Sequence, residues 1–231
     1  MSGREAILKK VRGALGAPLD DAARAKAVRQ RLAKAPTGVV PARGRLPEEE
    51  RIALFRQMAE KVSATVEHVK KTGDVPNAVA AYLRSKNLPA SVRMGGDERL
   101  RAMPWGRVKA LETKTGPADP DDEVGVSHAL AGIAETGTVA LYSGVENPTT
   151  VNFLPEHHIV VVDAKDIEGD LETTLSRLKK RFGKGKMPRT LNLITGPSRS
   201  GDIEQKLLLG AHGPRALHLI VVDDGRIGNK L

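Results

Sequence analysis

Three short stretches of the sequence gather residue types that can do chemistry. The first is Gly132, Ile133, Ala134, Glu135, Thr136, Gly137 and Thr138. It sets a carboxylate and two hydroxyls in a tight glycine turn. Glu135 suits a general base or nucleophile, with Thr136 and Thr138 as substrate-binding hydroxyls. The same residues also suit a turn in which Glu and Thr satisfy nearby backbone groups. The second stretch, 195–204, reads Thr-Gly-Pro-Ser-Arg-Ser-Gly-Asp-Ile-Glu. Gly196 lets backbone approach a ligand, and Ser198, Arg199 and Ser200 supply donors for a phosphate or carboxylate. Asp202 can bind ligand hydroxyls or a cation. The stretch lacks the Gly-Lys-Ser/Thr ending of a nucleotide-phosphate loop. The third, 210–215, reads Gly-Ala-His-Gly-Pro-Arg. His212 is a candidate proton shuttle and Arg215 a further anion contact; Gly and Pro there also fit an ordinary helix stop.

The flanking patterns predict the elements that position these loops. Alternating or continuous apolar runs at 65–69, 90–94, 108–111, 138–142, 158–162, 191–195 and 217–222 read as strands. The 3.6-residue period predicts helices over 74–86, 171–182 and 202–209. The runs at 138–142 and 158–162 look buried on both faces, as central strands of a parallel sheet are. Strand–helix alternation predicts an α/β fold: a mostly parallel open sheet with helices on both faces. Ligands of such sheets bind beyond the carboxyl ends of strands, where the second stretch is expected.

Other polar groups read as structural. His157 and His158 adjoin a strand, so their rings should point to opposite faces, which argues against a joint metal site. His128 could join the first loop, but no convergent ligand set is evident, and no metal is expected. The basic residues Arg177, Lys179, Lys180, Arg181, Lys184, Lys186 and Arg189 have almost no aromatics among them for base stacking. They read as a solvated helix end rather than a nucleic-acid surface.

Charge divides the chain. Of a formal net charge of +9, residues 1–64 carry 14 basic and 7 acidic side chains. Ile7, Leu8, Val11 and Leu15 form one helical stripe; Ala22, Ala25, Val28 and Leu32 form a thinner one among Arg and Lys. A Pro- and Gly-rich connector at 36–47 leads to a third helix over 48–63. This predicts a basic helical extension over 1–47 and an α/β domain over 48–231.

With 231 residues and 40% hydrophobic content the chain can build a core, and only six aromatics make that core aliphatic. No cysteine is present, which excludes a thiol nucleophile and any zinc or iron–sulfur centre held through Cys by this chain. No further cofactor can be named. No apolar segment follows Met1, Ser2, Gly3, Arg4 and Glu5, and no run approaches the ~20 residues of a membrane span. A cytoplasmic location is therefore expected.

The motifs in combination resemble one family. Val-Gly-Val-Ser-His-Ala-Leu-Ala-Gly-Ile-Ala-Glu-Thr-Gly-Thr at 124–138, Asn-Phe-Leu-Pro-Glu-His-His followed by Ile-Val-Val-Val at 152–162, the loop at 194–204 and Gly-Ala-His-Gly-Pro-Arg at 210–215 resemble the lactate utilization protein C (LutC) type of LUD-domain protein. Arg4 to Leu8 and Ala14 to Gly16 resemble that family's N-terminal helix. The resemblance implies a fold of the NagB/RpiA/CoA-transferase-like group. It also implies an accessory role in oxidising L-lactate to pyruvate alongside iron–sulfur partner proteins. A stand-alone enzyme or binding protein for a phosphorylated or CoA-linked molecule is the alternative. A nucleic-acid role rests on charge alone.

Overall fold

The computed structural model describes residues 2–16, 21–34, 38–183, 185–203 and 206–224, with backbone only over 201–208. The chain forms two compact units, Met1–Val39 and Val40–Leu231.

The first unit holds α1 (Gly3–Ala14) and α2 (Ala22–Lys34). Ser2 and Glu5 close a capping box at the start of α1, each side chain bonding the other's backbone N–H. Asp21 accepts from the Arg24 N–H at 2.9 Å at the start of α2. Neither helix buries a residue; Ile7, Leu8, Val11, Leu15, Val28 and Leu32 are all exposed.

The second unit opens with a 3-10 turn at Ala42–Arg45 and α3 (Glu48–Lys61). β1 (Thr65–Val69), α4 (Val75–Ser85), β2 (Ser91–Met94), α5 (Glu98–Arg101) and β3 (Glu112–Thr115) follow. Next come β4 (Val124–His128), β5 (Ala131–Ile133), β6 (Thr138–Tyr142), α6 (Thr150–Phe153) and β7 (His157–Asp163). The remainder is β8 (Ile167–Glu168), α7 (Leu171–Phe182), β9 (Leu191–Ile194), β10 (Arg199–Ile203), β11 (Lys206–Leu209) and β12 (Ala216–Val222).

Six strands form a parallel open sheet in the order β1-β12-β7-β4-β2-β3. Alternation along β7 decides which core each residue joins. Ile159 and Val161 meet Val75, Val79 and Leu83 of α4; Val160 and Val162 meet Ile52 and Phe55 of α3 together with Val139 and Leu141 of β6. All four β7 side chains are buried, each stabilising by roughly 1.5–3 kcal/mol. The mostly parallel α/β sheet expected from the sequence is present.

Three local expectations are corrected. The strand at 138–142 is not in the main sheet. It belongs to a four-stranded sheet, β8-β5-β6-β9, in which β6 is antiparallel to both neighbours. The Gly132–Val139 pairing turns β5 straight back into β6, and a two-sided apolar run cannot by itself distinguish the two sheets. The helix expected over 202–209 is instead the antiparallel hairpin β10–β11; its apolar run is too short to fix a period. The strand expected at 108–111 is displaced to Glu112, after a 3-10 turn at Trp105–Arg107.

Two glycines fix how α3 meets the second sheet. A Cβ on Gly137 (φ 66°) would lie 2.2 Å from the Ala59 nitrogen, and one on Gly196 (φ 71°) 2.4 Å from the Val62 oxygen. Only glycine combines that backbone with such an approach.

Candidate functional site

Gly196 seats the turn after β9 on the end of α3, and Arg199 holds it there. Nη2 of Arg199 donates to Val62 O at 3.0 Å and to Ser63 Oγ at 2.5 Å. A cation at a helix C-terminus is favourable because the last carbonyls lack partners. Across from this turn lies the segment after β11. Ser198 N donates to Pro214 O at 2.8 Å and Gly210 N to Ser198 O at 3.0 Å, so the two loops are laced together through backbone.

Between them opens a cleft of about 300 Å³, at the lower end of the roughly 300–1,000 Å³ of small-molecule sites. Thr195, Gly196, Ser198, Arg199 and His212 line it together with Asn152, Phe153 and His158. Of these, His158 is only 1% exposed. The cleft sits beyond the carboxyl end of β9, as expected, but at the amino ends of β7 and β12, where His158 and Leu217 each stand second in their strands.

A buried hydrogen-bond chain fixes the His158 ring. Ser127 Oγ donates to Asn152 Oδ1 at 2.7 Å, and His158 Nε2 lies 3.0 Å from the same Oγ. The serine proton is committed to the asparagine, so His158 Nε2 must carry a hydrogen and donate it. Nδ1 is left with a bare lone pair. It is buried, with no hydrogen-bond partner among the described residues. Burial pushes the ring down to about 3, so it stays neutral near pH 7. An unsatisfied buried acceptor costs about 1–3 kcal/mol.

Of the residues singled out from the sequence, the cleft thus brings together Gly196, Ser198, Arg199 and His212. The others lie elsewhere. Glu135 accepts from the Leu171 N–H at 3.2 Å, at the first turn of α7, and its Oε2 is 3.9 Å from Arg43 Nε. Its carboxylate serves the amino end of that helix. Thr136 and Thr138 form a hydroxyl chain, Thr136 Oγ1 to Thr138 Oγ1 to Thr195 Oγ1, each link 2.7 Å. The chain touches the cleft only through Thr195. Arg215 pairs with Glu156 at 3.0 Å on the exposed surface. Ser200 lies in β10 opposite Leu208, away from the cleft lining. The side chain of Asp202 falls outside the described residues.

Sequence reasoning missed His158 and its partners Ser127 and Asn152. The available signal was a histidine at an inward position of an otherwise apolar strand. The expected opposition of the two rings holds: His157 turns to the Tyr82 hydroxyl at 2.9 Å and His158 to Ser127. Within the basic run, Arg177 pairs with Asp166 and Glu168, and Arg181 reaches the Tyr142 hydroxyl. Among the described residues no group of three or more His, Asp or Glu could hold a metal, and no helix is long and apolar enough to cross a membrane.

The LUD domain family model matches residues 52–222, from within α3 to the end of β12. The chain belongs to the LUD domain family. This LUD-domain chain is 37% identical over 190 residues to lactate utilization protein C of Macrococcus caseolyticus, covering 78% of this chain and 80% of that one. It is 34% identical over 102 residues to lactate utilization protein C of Shouchella clausii, a match spanning 44% of each chain and so less than half of that relative's length. In structure it is similar to a DUF162 family protein from Deinococcus radiodurans. The TM-score is 0.59 at 21% identity, over 77% of this chain and 99% of the other. That likeness concerns the fold. The resemblance read from the loops and the family membership agree.

Proposed function

We propose that this LUD-domain chain is a cytoplasmic component of a system that oxidises L-lactate to pyruvate together with iron–sulfur proteins, and that its cleft holds a small carboxylate anion. The observation that carries this reading is the 37% identity across 80% of a protein named lactate utilization protein C. The cleft supports it. Arg199 makes its bonds to the end of α3 through Nη2 alone among the described residues, which leaves hydrogens on Nη1 and on Nε, at separate edges of the guanidinium, for single bonds to an anion. Ser198 adds a hydroxyl, and His212 a ring able to take or give a proton. Glu135, Thr136 and Thr138 act behind the site by holding α7 and Thr195.

Oxidising lactate removes two electrons and two protons from its C–H and O–H groups. This chain has no cysteine to hold a cluster, so the electrons pass to clusters in partner chains. The basic, apolar-striped helices α1 and α2 are suited to docking such a partner, since charge steers encounter. Affinity capture of the tagged full chain at low salt tests this. Iron–sulfur proteins are expected in the eluate, and their recovery should fall as salt rises. An eluate without them at low salt contradicts the partnership. Binding of inorganic phosphate or coenzyme A but not lactate would favour an enzyme of phosphorylated or CoA-linked molecules.

A further inference from the structure

The cleft is larger and more apolar than a small anion requires. Its volume of about 300 Å³ is that of roughly ten water molecules at about 30 Å³ each. A three-carbon acid fills less than half of it. Much of the remaining lining is hydrocarbon: Phe153 of α6, Leu193 and Ile194 of β9 and Leu217 of β12 all border the cleft. Phe153 is 43% and Leu193 44% exposed, so two large apolar side chains stand in water beside the groups suited to an anion. Exposed hydrocarbon along a cleft is surface that a ligand can cover. The polar and apolar parts adjoin. A Cβ added to Gly213 would lie 3.7 Å from Ser198 Oγ and 3.7 Å from Cδ1 of Phe153. The hydroxyl and the ring therefore flank one point, close enough for a single small molecule to touch both.

We propose that the cleft takes a carboxylate with an apolar body of about five to eight carbons, its charged end on Arg199 and Ser198 and its hydrocarbon over Phe153, Leu193 and Leu217. This rests on the cleft being the carboxylate site proposed above. The two ends use different physics. Nη1 and Nε of Arg199 and the hydroxyl of Ser198 bond the carboxylate whatever the length of the chain behind it. The apolar wall contributes in proportion to the hydrocarbon laid against it, so affinity rises with chain length until the cleft is full. A polar body would lose its water on that wall without gaining hydrogen bonds there. L-Lactate and phosphate would occupy the polar end alone and leave the wall wet. Phe153 and Leu193 thus select the body of the ligand, and Arg199 and Ser198 its charge.

The test is calorimetric titration of the full chain with acetate, butyrate, hexanoate, octanoate and L-lactate, and with hexan-1-ol as the uncharged comparison. Affinity is expected to rise roughly threefold per added methylene as far as hexanoate, which should bind at least about tenfold more tightly than L-lactate. Hexan-1-ol should bind more weakly than hexanoate. Phe153→Ala and Leu193→Ser should each weaken hexanoate by about threefold or more and leave acetate and L-lactate unchanged. Gly213→Ala adds a methyl at ordinary contact distance from Ser198 and Phe153, and should weaken octanoate more than acetate even where Phe153→Ala fails to fold. Equal affinities for L-lactate and hexanoate overturn the inference while the carboxylate site stands. A rising series that all three variants leave unaltered puts the hydrocarbon elsewhere and overturns it too. Hexan-1-ol binding as tightly as hexanoate, or no carboxylate binding at all, removes the carboxylate site and the inference with it.

Discussion

His158 gives its Nε2 hydrogen to Ser127 Oγ across 3.0 Å in the buried interior. The two residues lie on neighbouring strands of the parallel sheet, β7 and β4. The bond therefore ties the two strands together through buried side chains. Replacing Ser127 by Ala removes an acceptor from the ring and a donor from Asn152 together. We expect a loss of about 1–3 kcal/mol of stability, the usual effect of stranding buried polar groups. Urea unfolding of the variant measures it; an unchanged midpoint would mean that water replaces the hydroxyl.

Acid should unfold this protein through its histidines. Burial pushes His158 down to about 3 and His128 and His218 to about 4. The unfolded chain takes up protons at about 6.5, so below that pH it binds more protons than the folded state. The stability carried by these neutral rings is then fully present above about pH 6.5 and is lost as pH falls toward 4. Urea midpoints at a series of pH values check this. A flat profile from pH 7 to 4.5 would contradict neutral burial of the three rings.

Gly137 and Gly196 should resist substitution for one shared reason. Both have positive φ, and an added Cβ at either meets α3 backbone within 2.4 Å. Alanine at either position should destabilise by about 2–4 kcal/mol, combining backbone strain with overpacking. Gly106→Ala is the control: nothing lies within 4 Å of its Cβ position, and a change within about 0.5 kcal/mol is expected. Thermal unfolding of the three variants separates these cases.

Glu135→Gln and Glu135→Ala distinguish a helix-supporting carboxylate from a reactive one. Since Oε1 accepts from Leu171 N, Glu135→Ala should lose about 0.5–2 kcal/mol of stability, as for other lost N-terminal caps. Glu135→Gln keeps an acceptor and should lose less. Lactate binding should be unchanged in both, because Glu135 is not among the cleft's lining residues. Loss of binding without loss of stability would return Glu135 to the site.

What could be read from the sequence depended on how local the signal was. The helix at 171–182 and the strand entering at 158 are stated by their own periodicity, and both stand where expected. The loop at 195–199 carries glycine, hydroxyl and cation together, and the fold brings it to one cleft with His212, Gly213 and Pro214. The sheet membership of 138–142 was hidden, because a strand buried on both faces looks alike in a parallel sheet and in a covered hairpin. Glu135 presented a reactive composition, yet its partner Leu171 lies 36 residues away. His158 was legible only as half of a histidine pair. Its tautomer is set by Ser127 and Asn152, and no spacing rule reports a proton.

The most direct test of the proposed role is L-lactate consumption by cells lacking this chain, with and without the gene restored. Growth on L-lactate should fail, and extracellular lactate should persist, while growth on pyruvate is unaffected. The intact gene should restore consumption, and a copy carrying Arg199→Ala with Ser198→Ala should not, although that protein accumulates normally. Unchanged lactate consumption in the absence of the chain would contradict the role proposed for it.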